Sequence, residues 1–177
     1  MYPLGHLALG YLCYAGVAYL TDRQLPNGLL LVVLAFGTQV PDIIDKPLVY
    51  AGVLPSGRSF AHSLLIVLPV LAGLSYMAIQ WDLRTEARAF SVAVLSHLIG
   101  DSYLLALRGQ WTELRFLLWP VIPAIDYPSD DIAPWVRLFN AGFDSPQMQF
   151  QYLLVVIAIV IWARSVYVKR TRRTPDR

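Results

Sequence analysis

The sequence has few charged residues and almost no cysteine. Only 15% of its 177 residues are charged, whereas about a quarter are charged in a typical soluble domain. Because 56% of the residues are hydrophobic, the composition argues against a soluble globular domain and indicates a multi-pass membrane protein. Cys13 is the only cysteine, which excludes an intramolecular disulfide and argues against a thiolate metal site.

The sequence also lacks a strong excess of one charge and the pattern of a cleavable signal peptide. The net charge is +2, and basic residues are concentrated in the tail, at Lys169, Arg170, Arg172, Arg173 and Arg177. Such a tail can contact nucleic acid, but after an apolar stretch it is more typical of a cytoplasmic anchor at anionic lipid. The first apolar stretch has no basic start and no small-residue cleavage site, so we expect it to remain as a helix.

Long apolar runs are abundant. Five of them, at about residues 4–20, 29–40, 61–81, 89–107 and 152–168, predict an all-α, multi-pass membrane bundle with about five transmembrane helices. A short apolar stretch at 116–123 contains two prolines, which predicts an interfacial or re-entrant segment. Residues 52–58 and 126–131 are predicted to be polar loops. The chain is thus predicted to have one membrane-embedded domain, 1–168, and a basic cytoplasmic tail, 169–177.

The basic residues also predict the orientation in the inner membrane. With five spans, one side receives Arg23, Arg84, Arg88 and the basic tail, whereas acidic residues surround the basic ones on the other side. The positive-inside rule then places the N-terminus outside and the C-terminus in the cytoplasm.

All three histidines and three of the aspartates fall on one side of the predicted bundle. Ionisable groups in or beside apolar spans are costly and usually mark a functional site. Nitrogen and oxygen ligands together suit Zn, Mn or Fe(II) better than Mg or Ca. We therefore predict a metal site at the external face of the membrane, with six candidate residues: His6, Asp42, Asp45, His62, His97 and Asp101.

Two pairs carry most of this prediction. His97 and Asp101 are four residues apart and so share one face of a helix. Asp42 and Asp45 are three apart beside Pro41, where two carboxylates can hold or bridge a metal. The six side chains can serve one ion with additional hydrogen-bonding partners, or two ions that share a carboxylate.

Simpler interpretations of single residues stay open. His6 can be an interfacial polar group, and His62 can be the first residue of a helix. Asp45 can form an ion pair with Lys46 or Arg58. Arg58, four residues before His62, can bind a phosphate through two hydrogen bonds or extend to the lipid headgroups.

The motifs resemble those of the membrane-bound metal-dependent hydrolase family, also described as LexA-binding, inner-membrane-associated hydrolases. Gly5-His6 and Leu118-Trp119-Pro120 contribute to the resemblance, and three stretches carry most of it: Gly37 through Pro47, Gly57 through Leu65 and Ser96 through Ser102. It covers roughly the first two thirds of the chain.

The resemblance implies a multi-pass helical protein with a metal-dependent hydrolase site. Members of that family often carry the second acid of the Pro-Asp motif two residues after the first, whereas Asp45 follows Asp42 by three. Asp45 is therefore not implied as a ligand. The metal ligands implied by motif position are His6, Asp42, His62, His97 and Asp101.

Together these observations predict a metal-dependent hydrolase that acts on a membrane lipid or lipid-linked phosphoester, with Zn favoured over Mn or Fe. Asp45 is the candidate proton acceptor, and Arg58 is the candidate residue that stabilises a developing phosphoryl charge. One alternative is a metal or proton transporter, which the scarcity of further polar residues in the spans disfavours. The other is a non-catalytic membrane anchor that binds a partner through its basic tail.

Overall fold

The computed structural model describes residues 1–21, 25–125, 136, 139–140 and 144–171. Within these residues the chain is all-helical, as the apolar runs predicted, and has no strand. The predicted acidic loop at 126–131, Arg23 and the tail residues 172–177 lie outside the described part. The helices are α1 (Pro3–Leu20), α2 (Leu29–Gly37), α3 (Val40–Tyr50), α4 (Leu64–Gln80), α5 (Arg84–Leu107), a 3-10 helix (Trp111–Leu118) and α6 (Pro146–Thr171).

Among the described helices, only α5 and α6 are long and apolar enough to cross a membrane, so the expectation of about five spans is not supported. Helix α4 is apolar but has 17 residues. The predicted second span, 29–40, forms only the 9-residue α2, and the 11-residue α3 begins where that predicted span ends. Helix α6 is the less enclosed of the two, since 6% of its apolar window is buried inside the protein, compared with 39% for α5.

Helices α2 and α3 are separated at Thr38 and Gln39. Pro41 lies in the first turn of α3, where a residue without an N–H is tolerated but cannot continue the hydrogen bonding of α2. The first backbone bond of α3 runs from the N–H of Ile43 to the carbonyl of Gln39, at 2.9 Å. The carbonyl of Thr38 is therefore left outside the helical hydrogen bonding and can accept a bond from another element.

Helix α5 is the centre of the bundle and contacts α1, α2, α3, α4 and the 3-10 helix. Ala89 and Ala93 of α5 are fully buried against α1 and α2, and small residues permit such close approach. Val94 and Leu98 pack against α4, and α6 packs against α1. As predicted, the start of α1, the α2–α3 junction, the start of α4 and the second half of α5 meet at one end.

Gly10 tests the close packing of α1 against this junction. A Cβ added at Gly10 would lie 2.3 Å from Cγ2 of Thr38 and 3.2 Å from Oγ of Ser96. We expect Gly10→Ala to lower stability by about 1–3 kcal/mol, because it overpacks a filled interior. An added Cβ at Gly16 of the same helix meets nothing within 4 Å, so Gly16→Ala should be neutral or slightly stabilising. Thermal unfolding in detergent compares them, and equal shifts would contradict the packing argument.

Candidate metal centre

The three histidines, Asp42, Asp45 and Asp101 meet at one end of the bundle, as the sequence predicted. Two sets of three ligand atoms each lie within 4.8 Å of one another: His6, Asp42 and His97 form one set, and His62, His97 and Asp101 form the other. All of these residues are buried except Asp42, which is partly exposed. We call these five residues the His/Asp cluster, and Asp45 lies directly behind it.

His97 is held by the α2–α3 junction. Its Nδ1 lies 2.6 Å from the carbonyl oxygen of Thr38, which can only accept a hydrogen bond, so Nδ1 must donate. In the neutral ring, Nε2 then has a free lone pair. A hydrogen bond at the second nitrogen is the usual way in which a metal-binding histidine is oriented.

Asp45 holds His62 in the same manner. Oδ1 of Asp45 accepts the backbone N–H of Ala61 at 2.8 Å, and Oδ2 accepts that of Ser59 at 3.0 Å. Oδ2 also lies 2.8 Å from Nδ1 of His62. Because this carboxylate serves as an acceptor throughout, Nδ1 of His62 is the donor, and Nε2 of the neutral ring has a free lone pair.

The two free nitrogens face each other. Nε2 of His62 and Nε2 of His97 are 3.1 Å apart, and two lone pairs at this separation repel each other unless a cation lies beside them. Two imidazole nitrogens bound at about 2.0–2.1 Å to one tetrahedral zinc ion are about 3.3 Å apart. The spacing of this pair therefore fits a shared metal ion.

Asp42 and Asp101 each direct one oxygen towards these nitrogens. Oδ1 of Asp42 lies 3.7 Å from Nε2 of His62 and 3.9 Å from Nε2 of His97. Oδ2 of Asp101 lies 3.7 Å and 4.0 Å from the same two atoms. Two imidazoles with two carboxylates form a donor set that suits Zn, Mn or Fe(II).

His6 completes the cluster from α1. Its ring stacks on that of His97 with centroids 3.8 Å apart, and its Nε2 lies 3.2 Å from Oδ1 of Asp101 without the alignment of a hydrogen bond. Among the described residues, neither ring nitrogen of His6 has a hydrogen-bond partner. Gly100 makes room for the ring, because an added Cβ there would lie 3.1 Å from Nδ1 of His6. A buried nitrogen without a hydrogen bond is costly, and a metal ion would satisfy the one ring nitrogen that binds it.

Two partly exposed cations flank the cluster. Nζ of Lys46 lies 2.5 Å from Oδ2 of Asp42, and Nε of Arg58 lies 3.0 Å from Oδ2 of Asp101. The amino group of Met1 lies 2.5 Å from Oδ1 of Asp101. The side chains of Lys46 and Arg58 are 24% and 30% exposed, more than any member of the cluster. They mark the side from which an anionic group can approach.

The residues after α5 form a wall that the sequence analysis did not assign to the site. Phe116 of the 3-10 helix packs edge-on against His62 at 6.3 Å between ring centroids, and the guanidinium of Arg58 lies 5.8 Å from the centre of the Phe116 ring. Oγ of Ser63 donates a hydrogen bond to the carbonyl of Trp119. In the sequence, only Trp119-Pro120 pointed to these residues, and it did so only because it contributed to the family resemblance.

One family model, described as the YdjM inner membrane protein, matches residues 1–171. The match includes the whole His/Asp cluster and both helices that can span a membrane. No curated protein and no solved structure matches the chain.

Proposed function

The chain belongs to the YdjM inner membrane protein family, and from this membership and the His/Asp cluster we propose that it is a membrane-embedded, metal-dependent hydrolase. Its proposed substrate is a membrane lipid or lipid-linked phosphoester. The expected orientation, with the N-terminus and the cluster outside and the C-terminus in the cytoplasm, stays a prediction. The identity of the metal also stays a prediction, and Zn is favoured.

The observation that carries the proposal is the His62–His97 pair. Both Nδ1 atoms are committed to acceptors, and the two Nε2 atoms are 3.1 Å apart in a buried site. A divalent ion bound there would activate a water at neutral pH and polarise the scissile bond. The proposed ligands are His6, Asp42, His62, His97 and Asp101.

In this proposal Asp45 is not the proton acceptor that the sequence suggested. It is fully buried, and its oxygens already accept bonds from Ser59, Ala61 and His62. These contacts suit a residue that orients His62 and fixes the chain before α4. They do not suit a base, which needs a free oxygen next to the reacting group.

Arg58 is the proposed binding residue for the phosphate. We expect Arg58→Gln to lower the turnover of phosphatidic acid about 10- to 100-fold, because one charge-assisted hydrogen bond contributes about 1.5–3 kcal/mol. The matched control is Arg84→Gln, at an exposed arginine where α5 begins. Elemental analysis of both variants separates a loss of metal from a loss of phosphate binding. Equal turnover in the two variants would remove Arg58 from the mechanism.

Proton transport is the alternative that the same pair of nitrogens supports. A proton shared between His62 and His97 would relieve their repulsion as a metal does. A proton path would need further polar groups, yet beyond Ser96 the buried residues of α5 are Val94, Ala93 and Ala89, which are all apolar.

Elemental analysis of the detergent-purified protein, followed by a screen of lipid phosphates, tests the proposal. Near-stoichiometric Zn, Mn or Fe together with turnover supports the hydrolase. Metal without turnover on any phospholipid or isoprenyl phosphate rejects the proposed substrate. If no metal binds after reconstitution, the hydrolase is rejected in favour of a proton relay.

A further inference from the structure

The segment between residues 43 and 60 has its polar residues inside and its apolar residues outside. Its buried residues are Asp45, Ser56, Gly57 and Ser59, whereas its exposed residues are all glycine, alanine, proline or larger apolar and aromatic residues. The four largest exposed side chains are Ile43 at 54%, Tyr50 at 55%, Val53 at 66% and Phe60 at 40%. In water the opposite distribution is the rule.

The charges of the 43–60 segment all face the His/Asp cluster. Asp45 contacts His62, Lys46 pairs with Asp42, and Arg58 pairs with Asp101. The segment has no other charged residue, so its outer face carries none. A solvent-exposed loop of this length normally carries polar residues outwards, which is what the sequence alone predicted for 52–58.

Several backbone N–H groups in the non-helical part of the segment bond within the protein. The N–H groups of residues 51–54 bond to carbonyls in the second half of α3 at 2.8–3.2 Å. Arg58 N–H bonds to Oγ of Ser56, and the N–H groups of Ser59 and Ala61 bond to Asp45. Non-helical backbone is tolerated at membrane depth where it is buried in the protein or lines a water-filled cavity, and these bonds hold this part of the backbone against α3 and the buried Asp45.

We propose that the 43–60 segment is a re-entrant element embedded in the bilayer, with Ile43, Tyr50, Val53 and Phe60 in contact with lipid acyl chains. The occupant of this face is lipid, because the face is apolar and uncharged and the family resides in a membrane. One consequence rests on the proposed function. If that function holds, Lys46 and Arg58 bind the anionic headgroup of a lipid that enters from the bilayer.

Site-directed spin labelling tests this placement. Tyr50→Cys and Val53→Cys are made in a Cys13→Ala background, labelled, and reconstituted into vesicles of phosphatidylcholine and phosphatidylglycerol. Collision with oxygen reports hydrocarbon, and collision with an anionic chromium oxalate complex reports water. Val156→Cys on the exposed face of α6 is the lipid control, and Asp144→Cys, at an exposed position before α6, is the aqueous control.

We expect both labels to resemble Val156→Cys, with chromium collisions on the order of tenfold fewer than at Asp144→Cys, because charged complexes avoid hydrocarbon. Chromium collisions as frequent as at Asp144→Cys would overturn the proposal in favour of a water-exposed loop. Few collisions with either reagent, together with spin–spin broadening, would overturn it in favour of a second copy covering this face. Metal content of the same samples is independent of all three outcomes, so this test and that of the proposed function fail separately.

Discussion

The His97→Ala variant is expected to bind metal at least about 100-fold more weakly than the unmodified protein. His97 belongs to both sets of ligand atoms, so its loss disrupts both of them. Structural zinc sites with four ligands bind with about 10–16 kcal/mol. One ligand therefore contributes about 3 kcal/mol, which corresponds to about 100-fold in affinity.

A zinc titration of the detergent-purified protein measures this change. Ser96→Ala is the matched control, since Ser96 is a buried neighbour on the same helix whose hydroxyl bonds only to the carbonyl of Ala93. It should bind metal as the unmodified protein does. Circular dichroism shows whether the His97→Ala variant keeps its helices. A folded His97→Ala variant with unchanged affinity would eliminate the metal centre.

Asp45→Asn is expected to cause the largest loss of stability, about 3–5 kcal/mol, because it breaks a buried charged network. Asp45 is fully buried and accepts N–H groups from Ser59, Ala61 and His62. Asparagine offers one oxygen and an NH₂ group, so at least one of these donors loses its acceptor. Metal affinity should also fall about 10- to 100-fold, as expected when the partner that orients a histidine ligand is lost.

Asp42→Asn is the matched control for this prediction. Asp42 is partly exposed and pairs with Lys46, so its loss should cost about 0–1 kcal/mol in metal-free protein. The same substitution should nevertheless weaken metal binding, since Asp42 is a proposed ligand. Thermal unfolding in metal-free buffer compares the two variants. Equal unfolding temperatures would show that Asp45 does not stabilise the chain in the manner proposed.

The sequence predicted the helical class and the positions of the long apolar helices well, because apolar runs map directly onto α1, α4, α5 and α6. It did not predict that α2 ends at Gly37 and that a second helix, α3, follows directly from Val40. Pro41 cannot continue the hydrogen bonding of α2, and Asp42, Asp45 and Lys46 make α3 more polar than α2. The number of spans was overestimated because the runs that form α1, α2 and α4 give helices that are too short or not apolar enough to cross a membrane by length and composition.

Much of the site could be predicted because residue type limits the chemistry. Three histidines and three aspartates at the ends of alternating apolar helices are costly to place there, so they indicate a functional site. The part of Asp45 could not be predicted, since its task depends on the backbone N–H groups of Ser59 and Ala61, which any sequence would offer. The directions of Lys46 and Arg58 were left open, because charge alone does not say whether a side chain faces a bound phosphate or the lipid headgroups.

The hydrogen bond between His97 and Thr38 has a consequence for mutagenesis. Its acceptor is a main-chain carbonyl, an atom that every amino acid supplies, so no side-chain substitution at position 38 deletes it. Thr38→Ala would report the loss of the methyl group beside Gly10 and of the hydroxyl's hydrogen bonds with Ala35 and Gln39, and would give no sign that the backbone at this position holds the imidazole. Two homologues could therefore differ at position 38 and still orient the histidine in the same way.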